Sequence, residues 1–366
     1  MPVVVVEDDK ILRFIQCLLD PEVVPARAAA LADYLSFDVP DVDGWIKGVQ
    51  KSCGALYPAE VCMVPDQDAL RGALGNADAV VTEALVIGEE ELALAPKLKV
   101  VQNFGLDARN IDLDACARAS VKTPVFRRRI NGVVGEHVIA LMLAVGRKIC
   151  ETNGALDFAS LEALGYQPAM FDTDHISGGN WARITGLKNL QGSTLGALGL
   201  GEIGREVANR AKAMGMHILY HQRRQLPPEV EAQWDAEFVT FEAMFERADF
   251  VSIHVPLNDA TRGMVDGAAL ARMKEGAILI NASRAHIVER DGLIAALDSG
   301  RLGGAAFDVQ YSEPLTGDEP LKDYPNVVLS PHIAVGPRQQ ALADMEEIIA
   351  NLAAAVNQSI PAERSE

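Results

Sequence analysis

The stretch that most constrains this chain is residues 195–204, where the apolar run Leu195, Gly196, Ala197, Leu198 leads into Gly199, Leu200, Gly201, Glu202, Ile203, Gly204. Gly199, Gly201 and Gly204 have the G-x-G-x-x-G spacing of a strand that turns sharply into a helix. The first glycine permits the tight turn, the second lets backbone approach a pyrophosphate, and the third lets helix and strand pack closely. Such a helix N-terminus presents unpaired N–H groups to an anion. Past the turn, Ile203, Val207, Ala208, Ala211 and Met214 fall on one helical face, as core packing requires.

The chain after Ser193 alternates regularly. Strands are expected at 216–220, 250–254, 277–281, 304–308 and 327–329, with helices near 241–247, 266–273 and 290–298. That rhythm predicts an α/β, doubly wound parallel sheet of Rossmann type whose first strand–helix turn is the glycine turn. Residues 1–130 have a similar texture, with strands at 61–64, 79–82 and 98–102 and helices near 66–75, 89–95 and 112–119. Residues 36–58 read as an irregular insertion, 132–148 as a long apolar helix, and 151–180 as a glycine-rich excursion with some helix. A helix of about twenty residues follows Pro337, and the polar tail beyond it is expected to fray.

A chain of 366 residues is long enough for two domains. Its 33 basic and 51 acidic residues give a net charge of −18, which argues against a nucleic-acid partner held through phosphates. Cys17, Cys53, Cys62, Cys116 and Cys150 are scattered and form no C-x-x-C, so neither a disulfide framework nor a zinc site is expected and the setting is read as cytoplasmic. Asp172, Asp174 and His175 lie close together but read as a polar loop, and no metal site is expected. The N-terminus lacks the pattern of a signal peptide. No run is read as long enough for a membrane span.

In a dinucleotide-binding unit, an acid about twenty residues past the turn accepts the adenosine ribose hydroxyls and repels a 2′-phosphate. Here that strand ends in Gln222, Arg223, Arg224. The acid is missing, and two guanidinium groups able to pair a phosphate come next. NADP(H) is therefore favoured over NAD(H); a solvated basic turn, or NAD bound without the acid, are the alternatives.

With these motifs in order, the chain resembles the D-isomer-specific 2-hydroxyacid dehydrogenase family, which includes glyoxylate/hydroxypyruvate reductases, phosphoglycerate dehydrogenase and formate dehydrogenase. The resemblance runs from roughly 78 to 345. It rests on the glycine turn, on Ser252 to Leu257 with Thr261, on Ile280 to Arg284, on Ala306 to Val309 with Glu313, Pro314 and Leu315, and on Ser330 to Ile333. It implies a Rossmann domain over 132–334, inserted into a flavodoxin-like α/β substrate domain formed by 1–131 and 335–366. Hinges would lie near 132 and 335, the active site in the cleft, and the molecule would be a homodimer. The implied activity is hydride transfer between a nicotinamide cofactor and a small 2-keto or D-2-hydroxy acid.

Residue by residue, the resemblance casts Arg284, Glu313 and His332 as the catalytic trio, and the chemistry agrees. Arg284 offers a planar fork for a carboxylate and a ketone oxygen. Histidine is the side-chain type that titrates near neutrality, so His332 suits the proton donor or acceptor, and Glu313 would fix its tautomer and favour its charged form. The resemblance adds Glu202 and Ile203 as backbone donors to the pyrophosphate. It places Val255, Pro256 and Thr261 on the adenine-ribose side, and Ala282 and Asp308 near the nicotinamide. His254 reads equally well as a satisfied structural histidine. His286 is a weaker candidate for the cleft. The pattern breaks in the first domain, where residues 103–112 depart from the family segment and Arg127, Arg128, Arg129 replace a turn. That leaves the substrate-carboxylate loop near Glu83 to Val86 unassigned, and the arginines either substrate-facing or at a hinge or subunit contact. Two other readings compete. One is formate oxidation, whose enzymes carry glutamine where this chain has Glu313. The other is a nucleotide-sensing corepressor-like scaffold.

Overall fold

The computed structural model describes residues 1–357; the polar tail expected to fray lies outside them. The chain divides into two compact units, one of Met1–Ile130 with Pro337 onward, the other of Asn131–Gly336.

In the first unit, β1 (Val3–Glu7), β2 (Glu60–Val64), β3 (Ala79–Thr82) and β4 (Val100–Asn103) form a parallel sheet in the order β2-β1-β3-β4. A single bridge from Val100 to Lys122 extends its β4 edge. Side chains of a strand alternate between faces, and here the alternation feeds two cores. Val4, Val6, Ala79 and Val81 enter one, while Val5 and Val80 enter the other. The helix Gln339–Asn357 belongs to the first of these, burying Met345, Ile348 and Leu352 completely. Each such side chain contributes roughly 1.5–3 kcal/mol of transfer free energy.

The expected irregular insertion at 36–58 is corrected. Val42–Ser52 is a helix, started by the Asp41 side chain accepting the Gly44 N–H at 2.8 Å. Trp45, Ile46 and Val49 pack toward the core, and Trp45 Nε1 donates to Glu346 at 2.7 Å. The two glycines inside the helix obscured its period. Helices at Arg13–Leu19 and Pro25–Leu35 were also not read from the sequence.

In the second unit, seven parallel strands form one sheet. They are β5 (Thr194–Leu198), β6 (His217–His221), β7 (Ala236–Phe238), β8 (Phe250–Ile253), β9 (Ala277–Asn281), β10 (Leu302–Phe307) and β11 (Val327–Leu329). Their order is β7-β6-β5-β8-β9-β10-β11. Counted from β5 this is the 3-2-1-4-5-6 order of the doubly wound fold with a seventh strand added, and the order reverses beside β5. Cores cover both faces: Ala277 and Leu279 enter one, Ile278 and Ile280 the other. The short β7 and the helix Pro228–Trp234 before it were not anticipated.

The long apolar helix is Arg129–Gly146. The reading that no run is long enough to cross a membrane is corrected, because these 18 residues reach a mean hydropathy of 1.3 and pass by length and composition. Asn131, Glu136 and His137 interrupt the run and made it look shorter. Val134, Val138, Met142 and Val145 are buried in the core of the second unit, which gives the apolarity a packing role. Met142→Ala should therefore cost about 2–5 kcal/mol, measured as a lowered urea midpoint; an unchanged midpoint would remove Met142 from the core.

Candidate active site

All seven strands of the second sheet run in one direction, so their carboxyl ends share an edge. Ligands of open α/β sheets bind outside that edge, where the strand order reverses. Along it stand the glycine turn after β5, Gln222 after β6, His254 after β8, Arg284 after β9, Asp308 after β10 and His332 after β11.

The turn needs its glycines. Gly199 has φ +95°, and a Cβ there would stand 3.0 Å from the His254 carbonyl oxygen. A Cβ on Gly204 would stand 2.3 Å from the Gly199 carbonyl oxygen, so helix Glu202–Ala213 abuts the turn. A Cβ on Gly201 would meet nothing within 4 Å, so the space above the turn is open. The amides of Glu202 and Ile203, in the helix's first turn, are among those with no helical acceptor. These residues fit a pyrophosphate. The Glu202 side chain accepts from Asn131 Nδ2 at 2.7 Å, and Ile203 leans on the core.

Gln222 folds back onto the turn, its Oε1 accepting the Leu200 N–H at 3.1 Å and its Nε2 donating to the Arg224 carbonyl at 2.8 Å. Arg223 and Arg224 are exposed. Beyond β8, Ser283 Oγ donates to the Val255 carbonyl at 2.6 Å, and Thr261 Oγ1 donates to the Pro256 carbonyl at 2.6 Å. The loop from Val255 to Thr261 is thus braced by its own side chains. His254 is not the satisfied structural histidine of one reading: its Nε2 is buried without a partner, and burial pushes its pKa down to about 4.

Arg284 follows β9 with its side chain exposed, and one N–H donates to the Ser283 carbonyl at 2.7 Å. Ala282 is half-buried beside it. Glu313 Oε2 lies 2.7 Å from His332 Nδ1, and Glu313 Oε1 accepts the Gln310 N–H at 2.8 Å. Burial pushes the Glu313 carboxyl up. The hydrogen bonds from His332 and Gln310, with the charges of His332 and Arg284, outweigh this and hold it below the usual range. His332 itself has φ +56°, a conformation that a residue with a Cβ adopts at a cost of about 1–2 kcal/mol.

That conformation is built around Asp308, which is fully buried. Its Oδ1 accepts from Ser330 Oγ at 2.6 Å and the Ile333 N–H at 3.0 Å, its Oδ2 accepts the Ala334 N–H at 2.9 Å, and its carbonyl accepts the His332 N–H at 2.8 Å. His137 Nε2, on the long helix, stands 3.3 Å from Oδ1 and 3.2 Å from Ser330 Oγ. Burial raises the Asp308 pKa, and the bonds from His137, Ser330 and the two amides reverse this to a net lowering. Ser330 and His137 were missed as site residues, because no spacing in the sequence links position 137 to 308 or 330. His286 rests edge-on against Tyr311, ring centroids 5.5 Å apart.

In the first unit, the Glu83 to Val86 loop is held by Glu7, whose Oε2 accepts the N–H groups of Glu83, Ala84 and Leu85 at 2.8, 2.9 and 3.1 Å. Arg128 pairs with Glu83 at 3.0 Å and lies over the Phe104 ring, while Arg129 pairs with Asp344 and Glu347.

Fold and site together define a dinucleotide-binding α/β protein with a histidine–carboxylate pair at the carboxyl edge of its sheet. A sequence model of the NAD-binding domain of the D-isomer specific 2-hydroxyacid dehydrogenases matches residues 167–334. The chain is 35% identical over 301 residues to a glyoxylate reductase of Thermococcus litoralis, covering 81% of this chain and 86% of that protein. It is 36% identical over 271 residues to a D-3-phosphoglycerate dehydrogenase of Mycobacterium leprae, covering 74% of this chain but 47% of that longer protein. The apo structure of Rhodotorula graminis D-mandelate dehydrogenase shares the fold at 24% identity, with a TM-score of 0.57 over 96% of this chain and 92% of that one. This chain belongs to the D-isomer specific 2-hydroxyacid dehydrogenase family.

The buried Asp308 carboxylate makes a pH prediction. With its folded pKa lowered, its stabilisation is present above the unfolded value near pH 4 and lost as pH falls through the folded value. Asp308→Asn should lower stability by about 2–3 kcal/mol at neutral pH, with the gap to wild type closing in acid. Urea titrations from about pH 3 to about pH 8, a span that brackets the carboxylate range, check this, and a gap independent of pH would contradict it.

Proposed function

We propose that this chain is an NAD(P)-dependent D-2-hydroxyacid dehydrogenase that acts mainly as a reductase of small 2-keto acids. The observation that carries the reading is the 2.7 Å contact between His332 Nδ1 and Glu313 Oε2, because reducing a ketone to an alcohol needs a proton at the substrate oxygen. A nicotinamide cofactor, when bound, supplies the hydride for the keto carbon. Arg284 holds the substrate carboxylate and polarises the ketone oxygen through its planar fork of donors. His332, its Nδ1 turned to Glu313, gives the proton from Nε2 to the developing alkoxide. Glu313 keeps the imidazole in that orientation. One keto acid, one hydride and one proton give one hydroxy acid. Formate oxidation needs no proton on a substrate oxygen and would leave the Glu313–His332 pair without work.

Gly199, Gly201 and Gly204 with the Glu202 and Ile203 amides hold the pyrophosphate in this reading. Val255, Pro256 and Thr261 line the adenine side, and Ala282 and Asp308 lie near the nicotinamide. NADP(H) is favoured, supported by Gln222 in place of an acid and by the exposed Arg223 and Arg224. Residues 1–131 with 335–366 form the substrate domain in this reading, and 132–334 the dinucleotide domain. A homodimer is part of the proposal, supported by the exposed Ile149, Leu156, Met170 and Ile176, an apolar surface of the kind subunit contacts cover. So is a cytoplasmic setting, supported by five unpaired cysteines.

Initial rates with NADH and NADPH against glyoxylate, hydroxypyruvate, pyruvate, bulkier keto acids and, in reverse, formate test the reading. Reduction of at least one keto acid is expected; none with either cofactor would sink it. His332→Ala should lower kcat/KM by roughly 10²–10⁴ and leave cofactor Kd nearly unchanged. Gln222→Asp should shift preference toward NADH, and an unmoved ratio of the two kcat/KM values would discard the argument from the missing acid.

A further inference from the structure

The long helix Arg129–Gly146 carries one polar group into the acid–base turn, and the proposed chemistry does not use it. We infer that His137 is a positioning residue which, through Ser330 and Asp308, fixes the turn that presents His332. This rests on the reading of His332 as the proton donor.

The hydrogen-bond geometry assigns the protons. Asp308 is an acceptor, since it takes the Ile333 and Ala334 N–H groups at 3.0 and 2.9 Å. The Ser330 hydroxyl, 2.6 Å from Oδ1, therefore points its hydrogen at the carboxylate. That leaves a Ser330 Oγ lone pair toward His137 Nε2 at 3.2 Å, so Nε2 carries the hydrogen and shares it between Oγ and Asp308 Oδ1 at 3.3 Å. The result is a relay of bonds from His137 N–H to Ser330 O–H to Asp308.

The relay matters because Ser330 and Pro331 lead directly into His332. That residue has a positive φ of 56°, and such a residue persists only where its surroundings over-determine it. Asp308 supplies most of that constraint, binding three successive amides, 332 through its carbonyl and 333 and 334 through its carboxylate. His137 is the group that anchors Ser330 and Asp308 Oδ1 to a different element, the core helix whose next turn buries Leu141 and Met142. Without it, the Ser330 hydroxyl and Asp308 Oδ1 lose their tie to that helix, the carboxylate is held from the turn alone by the Ile333 and Ala334 amides, and the His332–Glu313 alignment loosens. The ionisable groups about the turn are Asp308 and His137 on one side and Glu313, with the charge of Arg284, on the other.

The test uses the full chain with His137→Leu, His137→Gln, whose Nε2 is a donor at similar reach, and Ser330→Ala, which cuts the relay from its other end. His137→Leu should lower kcat for keto-acid reduction about tenfold with cofactor Kd unchanged. Loosening from Glu313 should also move the His332 imidazole ¹⁵N shifts, which report the hydrogen bond at Nδ1, with the signals assigned by His332→Ala. His137→Gln should recover most of both, and Ser330→Ala should move both in the direction of His137→Leu. Wild-type kcat and wild-type His332 ¹⁵N shifts in a folded His137→Leu protein would overturn the inference. If His137→Leu does not fold, unchanged His332 ¹⁵N shifts in Ser330→Ala would do so. The NMR measurement needs no turnover, so failure of the wild type on every keto acid would count against the proposed function alone.

Discussion

Parallel strands need crossovers, and the crossovers set where every loop of the second unit ends up. A chain segment that leaves β5, β8, β9, β10 or β11 always leaves from one edge, whatever its length or sequence. Residues as far apart as Gly199 and His332 therefore stand along one line without any local motif having to bring them together. The helices between the strands occupy the two faces, where they bury apolar side chains such as Leu279 and Ile280 on opposite sides. Polar groups without a ladder partner are left at the edges, and the carboxyl edge collects Arg284, Glu313 and His332. The direction of the strands is the physical reason the glycine turn and the histidine–carboxylate pair share a border.

Two kinds of constraint operate on that border. At the glycine turn the constraint is steric, since the Gly204 position lies so close to the Gly199 carbonyl that any side chain would push the helix away. At the far strands it is electrostatic. Asp308 has no exposure and offsets its desolvation by gathering two amides and a hydroxyl. The amides it gathers are next in sequence to the backbone conformation that His332 needs. The carboxylate that shapes the turn and the carboxylate that meets the imidazole are thus different residues. Asp308 acts through the backbone and Glu313 through the ring.

Much of this was legible in the sequence because it depends on local signals. The glycine spacing, the apolar runs of β8 to β11 and the capped helices at Phe241–Arg247 and Gly267–Arg272 are each written in fewer than about fifteen residues. The pairing of Glu313 with His332 was anticipated from the order of motifs rather than from chemistry, since an acid in a loop has no local mark. What was not legible depends on tertiary contact. The helix Val42–Ser52 is held by Trp45 reaching Glu346, 301 positions away, and by a cap that two internal glycines disguised. The Asp308 network draws on position 137, and the His254 Nε2 became conspicuous only once its surroundings were known to offer no partner.

The first unit makes the complementary point about anions. Three successive amides after β3 converge on a single oxygen, an arrangement that binds a carboxylate well. The carboxylate they bind is the chain's own Glu7, at the end of β1. Burial works against its charge, and the three amides with the Thr82 hydroxyl outweigh that and hold the acid below its ordinary range. The loop at Glu83 to Val86 is thereby tied to the neighbouring strand, and its amides have no donor capacity left for a second anion. Arg128 adds the reverse sign beside it, paired to Glu83 and lying over Phe104. A net charge of −18 cannot draw an anionic substrate inward by itself. Within the second unit, the exposed Arg284 at the end of β9 gives one N–H to the Ser283 carbonyl, and its planar fork of donors is what the proposed function assigns to a substrate carboxylate.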